Sequence, residues 1–246
     1  MEAKHYWREA SLMMRVYVVC EGPTEETFVR NVLAPKLAHQ QIFLTGRGVT
    51  TSRGHRGGAL NYDRVKLFIL NCLKEENATI ITTFFDLYGL EKRFPGYEKS
   101  QAIIDVYQRT QFLEQALKDD IAQSNNTYLN RFVPYIQPYE FEGLLFSDIS
   151  KLTDIHSEWS KALIKLQADR SDFETPEHIN NSYETKPSER IKKALESVQI
   201  FASSKKSYRK TYHGPLAIQN IGIDKLCAEC KHFADWYQQL TDLGTA

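Results

Sequence analysis

The sequence predicts an α/β fold, a mostly parallel sheet flanked by helices, with a helical C-terminal extension. Three observations carry this. Val16-Tyr17-Val18-Val19-Cys20 and Thr79-Ile80-Ile81-Thr82-Thr83-Phe84-Phe85 are apolar, β-branched runs of strand length. Segments with helical spacing separate the strand-like runs, and that alternation suits a parallel sheet. Both runs end on an acid, Glu21 and Asp86. Two carboxylates are thus expected at strand carboxyl ends, the edge where open α/β sheets place ligands.

The elements follow in order. Residues Met1 to Met13 are mixed and charged, lack the apolar core of a signal peptide, and read as an extension before a start at Met13 or Met14. After the first strand, Gly22 turns the chain and Pro23 suits the first turn of a helix over Thr24 to Ala38. Phe28, Val29, Val32 and Leu33 form its inward face. Gln41 to Leu44 reads as a short strand, and the Gly/Arg/Thr-rich Thr45 to Gly58 as a loop. Tyr62 to Glu75 reads as a helix. Beyond Asp86 come a turn-rich stretch to Glu98, a helix over Ser100 to Ile121 and a strand over Arg131 to Ile136. After about Ser150 the composition becomes polar, with helical pieces broken near Pro176 and Pro187. The C-terminal helices carry Trp236, Tyr237, Leu240 and Leu243, which read as apolar surface for a partner. The expected organisation is an extension (1–13), a core (14–150) and a mainly helical region packed on it (151–246).

The chain has 246 residues, with 31 Lys+Arg against 31 Asp+Glu, so it is not a generally basic nucleic-acid coat. Any nucleic-acid contact must come from a local patch. No stretch approaches the roughly 18 apolar residues of a membrane span. Cys20 and Cys72 sit in apolar runs, no disulfide framework is visible, and a cytoplasmic setting is expected. Cys227-Ala228-Glu229-Cys230 is one pair where a structural zinc needs four ligands. No Gly-x-x-x-x-Gly-Lys-Ser/Thr loop occurs, so no nucleotide cofactor is expected in this chain.

Glu25 lies one helical turn beyond Glu21, and Glu140 and Glu142 follow the last predicted strand. An oxygen-only set drawn from Glu21, Glu25, Asp86 and one of Glu140 or Glu142 favours Mg²⁺ or Mn²⁺ over zinc. On an extended segment Glu140 and Glu142 share a face; on a helix they diverge. The plainer alternatives are helix-dipole acids for Glu25 and Glu26, a turn cap for Asp86 and ion-paired surface acids for Glu140 and Glu142. Two basic groups suit phosphate contacts: Arg47, Arg53, His55 and Arg56 in the glycine-rich loop, and Lys205, Lys206 and Arg209 with Lys210 later on. A solvated face is the alternative for each. His213 reads either as a general acid or as a structural histidine.

The strand followed by Glu21-Gly22, two residues, Glu25-Glu26 and an apolar helix resembles the opening motif of TOPRIM domains, closest to the overcoming-lysogenization-defect nuclease branch. The whole chain resembles a bacterial family catalogued as a domain of unknown function, of the DUF4276 type. That family is found beside ABC- or AAA-type ATPases in phage-defence operons. The resemblance implies a TOPRIM-like core and a Mg²⁺- or Mn²⁺-dependent nuclease acting on DNA or RNA. It also implies an ATPase subunit as partner and catalytic roles for Glu21, Asp86 and the late lysine Lys210. The TOPRIM Asp-x-Asp is here Asp86-Leu87-Tyr88, so one ligand is missing. That departure opens a second expectation, a non-catalytic TOPRIM-like binding or regulatory subunit.

If the glycine-rich loop contacts phosphates, Arg53→Ala with Arg56→Ala lowers the salt dependence of nucleic-acid binding by nearly two counterions, at unchanged thermal stability. An unchanged slope in a salt titration makes the loop a bystander.

Overall fold

The computed structural model describes residues 13–49, 61–75, 79–180, 182–198 and 206–244. It opens with β1 (Met14–Cys20) and α1 (Pro23–Phe28), which continues through a π-helical stretch (Val29–Leu33) into α2 (Ala34–Ala38). Then come β2 (Ile42–Gly48), α3 (Tyr62–Glu75), β3 (Ile80–Asp86), α4 (Tyr97–Ser100), α5 (Val106–Ala122), β4 (Phe132–Val133) and β5 (Ile136–Gln137). A 3₁₀ segment (Phe141–Ser147) leads to α6 (Ser150–Thr153), α7 (Leu163–Ser171), α8 (Pro187–Val198), α9 (Lys210–Ile221), α10 (Ile223–Glu229) and α11 (Lys231–Asp242). The strands order β2-β1-β3-β4, with β5 further along β3, and every pairing is parallel. The molecule is therefore α/β, a five-stranded parallel sheet flanked by helices. No described helix is long and apolar enough to cross a membrane.

β3 is buried along its whole length because helices cover both faces of the sheet. Phe28, Phe84, Phe141, Phe233 and Trp236 join one hydrophobic cluster. Val65, Ile69, Phe85, Leu113 and Leu117 join the other. The polar residues of β3 are satisfied locally. Thr82 Oγ1 accepts a hydrogen bond from Trp236 Nε1 at 2.8 Å. Thr83 Oγ1 donates to Tyr135 O and accepts from Tyr135 N, each at 2.8 Å. Those two bonds bridge the interruption at Pro134, whose nitrogen has no hydrogen to give the ladder.

Several expectations need correction. β2 extends to Gly48, so Thr45 to Gly48 belong to the sheet rather than to a loop. A Cβ on Gly48 would lie 1.7 Å from Glu26 Oε1, so glycine there admits the α1 side chain rather than loosening the chain. α5 begins at Val106, where Asp105 Oδ1 accepts from Gln108 N at 2.8 Å and caps it. The single strand over 131–136 is two short ones, split at Pro134. Trp236 and Leu240 are buried against the sheet and offer no surface to a partner. α11 is fixed there from its start: the Glu177 carboxylate accepts from His232 N and Phe233 N at 2.9 and 3.0 Å, and His232 Nε2 meets Glu114 Oε1 at 2.8 Å.

Phe84 lies 5.1–6.2 Å, centroid to centroid, from Phe28, Tyr135, Phe141 and Trp236. Phe84→Ala therefore lowers unfolding free energy by about 3–5 kcal/mol. Ile164→Ser, at a position 80% exposed, changes it by no more than about 0.5 kcal/mol. Urea denaturation checks both.

Candidate functional site

Parallel register makes the site. Cys20 pairs with Phe84, so Glu21 and Asp86 emerge together at the carboxyl edge of neighbouring strands. The Glu21 carboxylate accepts a hydrogen bond from Asp86 N at 3.3 Å. It also packs on Gly89, where a Cβ would lie 2.3 Å from Oε2. Glu25, one turn into α1, is buried and accepts from Gly22 N at 2.9 Å. Asp86 Oδ1 accepts from Phe141 N at 2.8 Å, and its Oδ2 lies 3.4 Å from Lys210 Nζ. Glu142 is fully buried in the 3₁₀ segment, with Oε2 2.9 Å from the same Nζ and Oε1 accepting from Tyr208 Oη at 3.4 Å. The Lys210 ammonium is what compensates the buried Glu142 Oε2. Lys210 enters from the first turn of α9 with its side chain 39% exposed.

Glu140 is extended and Glu142 lies in the 3₁₀ segment. Glu140 pairs with Lys186 Nζ at 2.7 Å and accepts from Ser188 N at 3.1 Å, and its charge also acts on Glu21, Asp86 and Glu142. Asp86 and Glu142 thus both contact one ammonium, whose charge also acts on Glu21 and Glu25. Burial, then the Asp86 charge, pushes Glu21 up to about 8, with the Asp86 N–H and Lys210 opposing. Burial also raises Glu142 to about 7, against Lys210. Glu25 and Asp86 are raised for the same first reason. At Lys210 burial opposes the charge, but Asp86, Glu142 and Glu25 outweigh it and raise the ammonium's pKa. All the donors around this point are carboxylate oxygens, the type that Mg²⁺ and Mn²⁺ take. Among the described residues no three carboxylate, imidazole or thiol groups already converge as a ligand set.

Of the basic residues, Lys206 and Arg209 lie near Lys210, and Arg47 is tied to Tyr17 and Glu75. Arg47 sits at the end of β2, its guanidinium carbon 3.5 Å from the Tyr17 ring centroid and one nitrogen 2.7 Å from Glu75. Arg209 is exposed over the Tyr212 ring. Lys206 is exposed beside a cleft of about 640 Å³ that Lys192, Tyr208, Lys210 and Glu142 also line. Arg53, His55, Arg56 and Lys205 lie outside the described residues. His213 is buried, and its Nδ1 accepts from Arg209 N at 2.8 Å. Burial first, then the charges of His156 and Arg209, pull it down to about 4. Cys230 is buried 3.2 Å from Ser147 Oγ, which is packing rather than zinc ligation. Sequence reasoning missed Gly89 and Lys186. Gly89 was legible as a glycine three residues after a strand-end acid; Lys186 had no local signal.

Residues 20–241 match the family model of a domain of unknown function, DUF4276. The chain belongs to the DUF4276 family. No curated protein and no solved structure matches it. The DUF4276 match includes Glu21, Glu25, Asp86, Glu142 and Lys210, so the whole cluster lies inside the family domain.

Because Glu21 and Glu142 titrate above their ordinary 4.5 in the folded chain, the native state holds protons that the unfolded state has released. Their contribution to stability is complete below about pH 4.5 and is lost as pH rises towards 8. In EDTA, the melting temperature of Glu21→Gln therefore gains on wild type progressively between pH 5 and 8. A constant difference across that range would show that Glu21 titrates normally.

Proposed function

We propose that this chain is a divalent-metal-dependent phosphodiesterase, a nuclease, and that it works as the effector subunit of an ATPase-associated anti-phage system. The observation that carries the reading is that Lys210 contacts both Asp86 and Glu142 at the carboxyl edge of the sheet, beside Glu21 and Glu25. Glu21, Asp86 and Glu142 would hold Mg²⁺ or Mn²⁺, with Glu25 beside them. On the TOPRIM resemblance, Glu142 would supply the acid that Tyr88 does not. The bound cation would acidify a water and neutralise charge on the phosphate.

The chain's own residues then have separable tasks. Gly89 and the Asp86 N–H fix the Glu21 carboxylate. The Phe141 N–H fixes Asp86. Lys210 transfers its ammonium from Asp86 and Glu142 to the phosphate, where charge grows in the transition state. The ATPase partner rests on the operon context of the resembled family and on the lack of a phosphate-binding loop in this sequence.

One observation favours a second reading, a non-catalytic binding subunit: Lys210 already occupies the space between Asp86 and Glu142. Titration calorimetry separates the two. Mg²⁺ or Mn²⁺ binding at a stoichiometric site, lost in Glu21→Gln and Asp86→Asn, fits the nuclease; no heat at millimolar metal fits the binding subunit. Across plasmid, single strands and tRNA, the nuclease reading expects cleavage that Lys210→Ala reduces about 100-fold or more. Equal cleavage by wild type and Asp86→Asn would sink it.

A further inference from the structure

The cleft of about 640 Å³ beside Lys210 has two walls. One is a face of α8, with Glu189, Lys192, Leu195 and Glu196. The other is the segment leading into α9, with Lys206 and Tyr208. Glu142 and Lys210 line the cleft too, so it opens onto the carboxylate cluster. Both walls are fixed. On α8, Ser188 N donates to Glu140 Oε2 at 3.1 Å and Arg190 pairs with Asp169 at 3.2 Å. Opposite, Trp159 Nε1 donates to Lys206 O at 3.2 Å and Tyr208 Oη to Glu142 Oε1 at 3.4 Å. The cleft is thus preformed, and its volume lies within the roughly 300–1,000 Å³ of ligand sites.

The charges on the α8 wall are mixed and unspent. Glu189, Lys192 and Glu196 stand three and four residues apart, a spacing at which helix side chains pair. Among the described residues none of the three enters an ion pair, although Arg190 of the same helix does. Charges of both signs select the occupant. The lysines repel a cation, and the two acids repel an anion that brings no donors. A ligand that suits both carries phosphate for Lys192 and N–H groups for the carboxylates. A nucleotide whose base has an exocyclic amino group carries both, and a carboxylate accepts well from cytosine N4. Tyr208 and Leu195 add surface for the face of a base.

We propose that this cleft takes a short unpaired stretch of nucleic acid beside the carboxylate cluster, with Lys192 on a phosphate and Glu189 and Glu196 accepting from base amino groups. The proposal rests on the phosphodiesterase reading and names its substrate class. Ser188 to Glu196 spans about 12 Å of helix axis, the length of about three stacked nucleotides. A duplex laid across the mouth would set its phosphates against both acids. Thymine presents an oxygen and a methyl group where cytosine presents its amino group, so it gives the carboxylates nothing comparable.

The test is binding without cleavage. Fluorescein-labelled six-nucleotide oligomers of deoxycytidine and of thymidine are titrated in EDTA, and anisotropy is read at several salt concentrations. Wild type binds the cytidine oligomer about tenfold tighter than the thymidine one, and an unlabelled blunt duplex competes poorly. Lys192→Ala weakens both and lowers the salt slope by about 0.7, one single-strand phosphate contact; Lys192→Arg keeps the slope. Glu189→Ala with Glu196→Ala abolishes the preference for cytidine. Lys192 and Glu196 are exposed, so these variants keep the wild-type circular dichroism. A wild-type slope in Lys192→Ala, a preference that survives the double substitution, or equal competition by the duplex overturns the proposal. If wild type binds neither oligomer yet gives metal-binding heat that Glu21→Gln abolishes, the cleft proposal falls and the phosphodiesterase reading stands. If the expected oligomer binding is seen without any metal heat, the cleft stands and the phosphodiesterase reading falls.

Discussion

Carboxylates gathered at one sheet edge repel, and the ammonium of Lys210 is the counter-charge on which the arrangement depends. Two bare carboxylates 4–5 Å apart cost roughly 3–4 kcal/mol at an effective dielectric near 20. Asp86 and Glu142 each lie within 3.4 Å of Lys210 Nζ, and Glu25 adds to the same field. The lysine comes from α9, so the C-terminal helices have to be seated before the sheet edge is neutral. The Trp236–Thr82 bond and the Glu177 cap of α11 hold the last helix of that region against β3. The site and the core are one construction for this reason.

The strands bearing Glu21 and Asp86 were legible because an apolar, β-branched run that stops at an acid is a local signal. The helix over Tyr62–Glu75 was legible from spacing, and the break before Pro187–Val198 from its proline. The Arg47 environment was not, because glycine serves equally for a loop and for close approach; Glu26 packing on Gly48 decides between them. Glu140 and Glu142 could not be separated, since a 3₁₀ segment has neither the period of a strand nor that of an α-helix. Trp236 and Leu240 were read as surface because amphipathic spacing gives a helix an apolar face without saying what covers it. Lys210 came from family resemblance, not from spacing, because its partners are remote in sequence.

The pKa pattern and the site geometry have a common origin. Burial lifts all four carboxyls, while fixed backbone N–H groups hold Glu21, Glu25 and Asp86 in place. Glu142 lacks such a donor and depends on Lys210 and Tyr208. Orientation of three of the acids therefore survives a change in the position of the lysine, whereas that of Glu142 responds to it.

The separation of 124 residues between Asp86 and Lys210 also has a consequence for synthesis on the ribosome. At about 5–20 residues per second, Asp86 leaves the ribosome roughly 6–25 seconds ahead of the lysine. During that interval the nascent chain carries the acids without their counter-charge. A chain cut short before α9 would keep both strands yet lack the group that unites their acids. Translation through α9 is thus itself a checkpoint on when the cluster becomes complete.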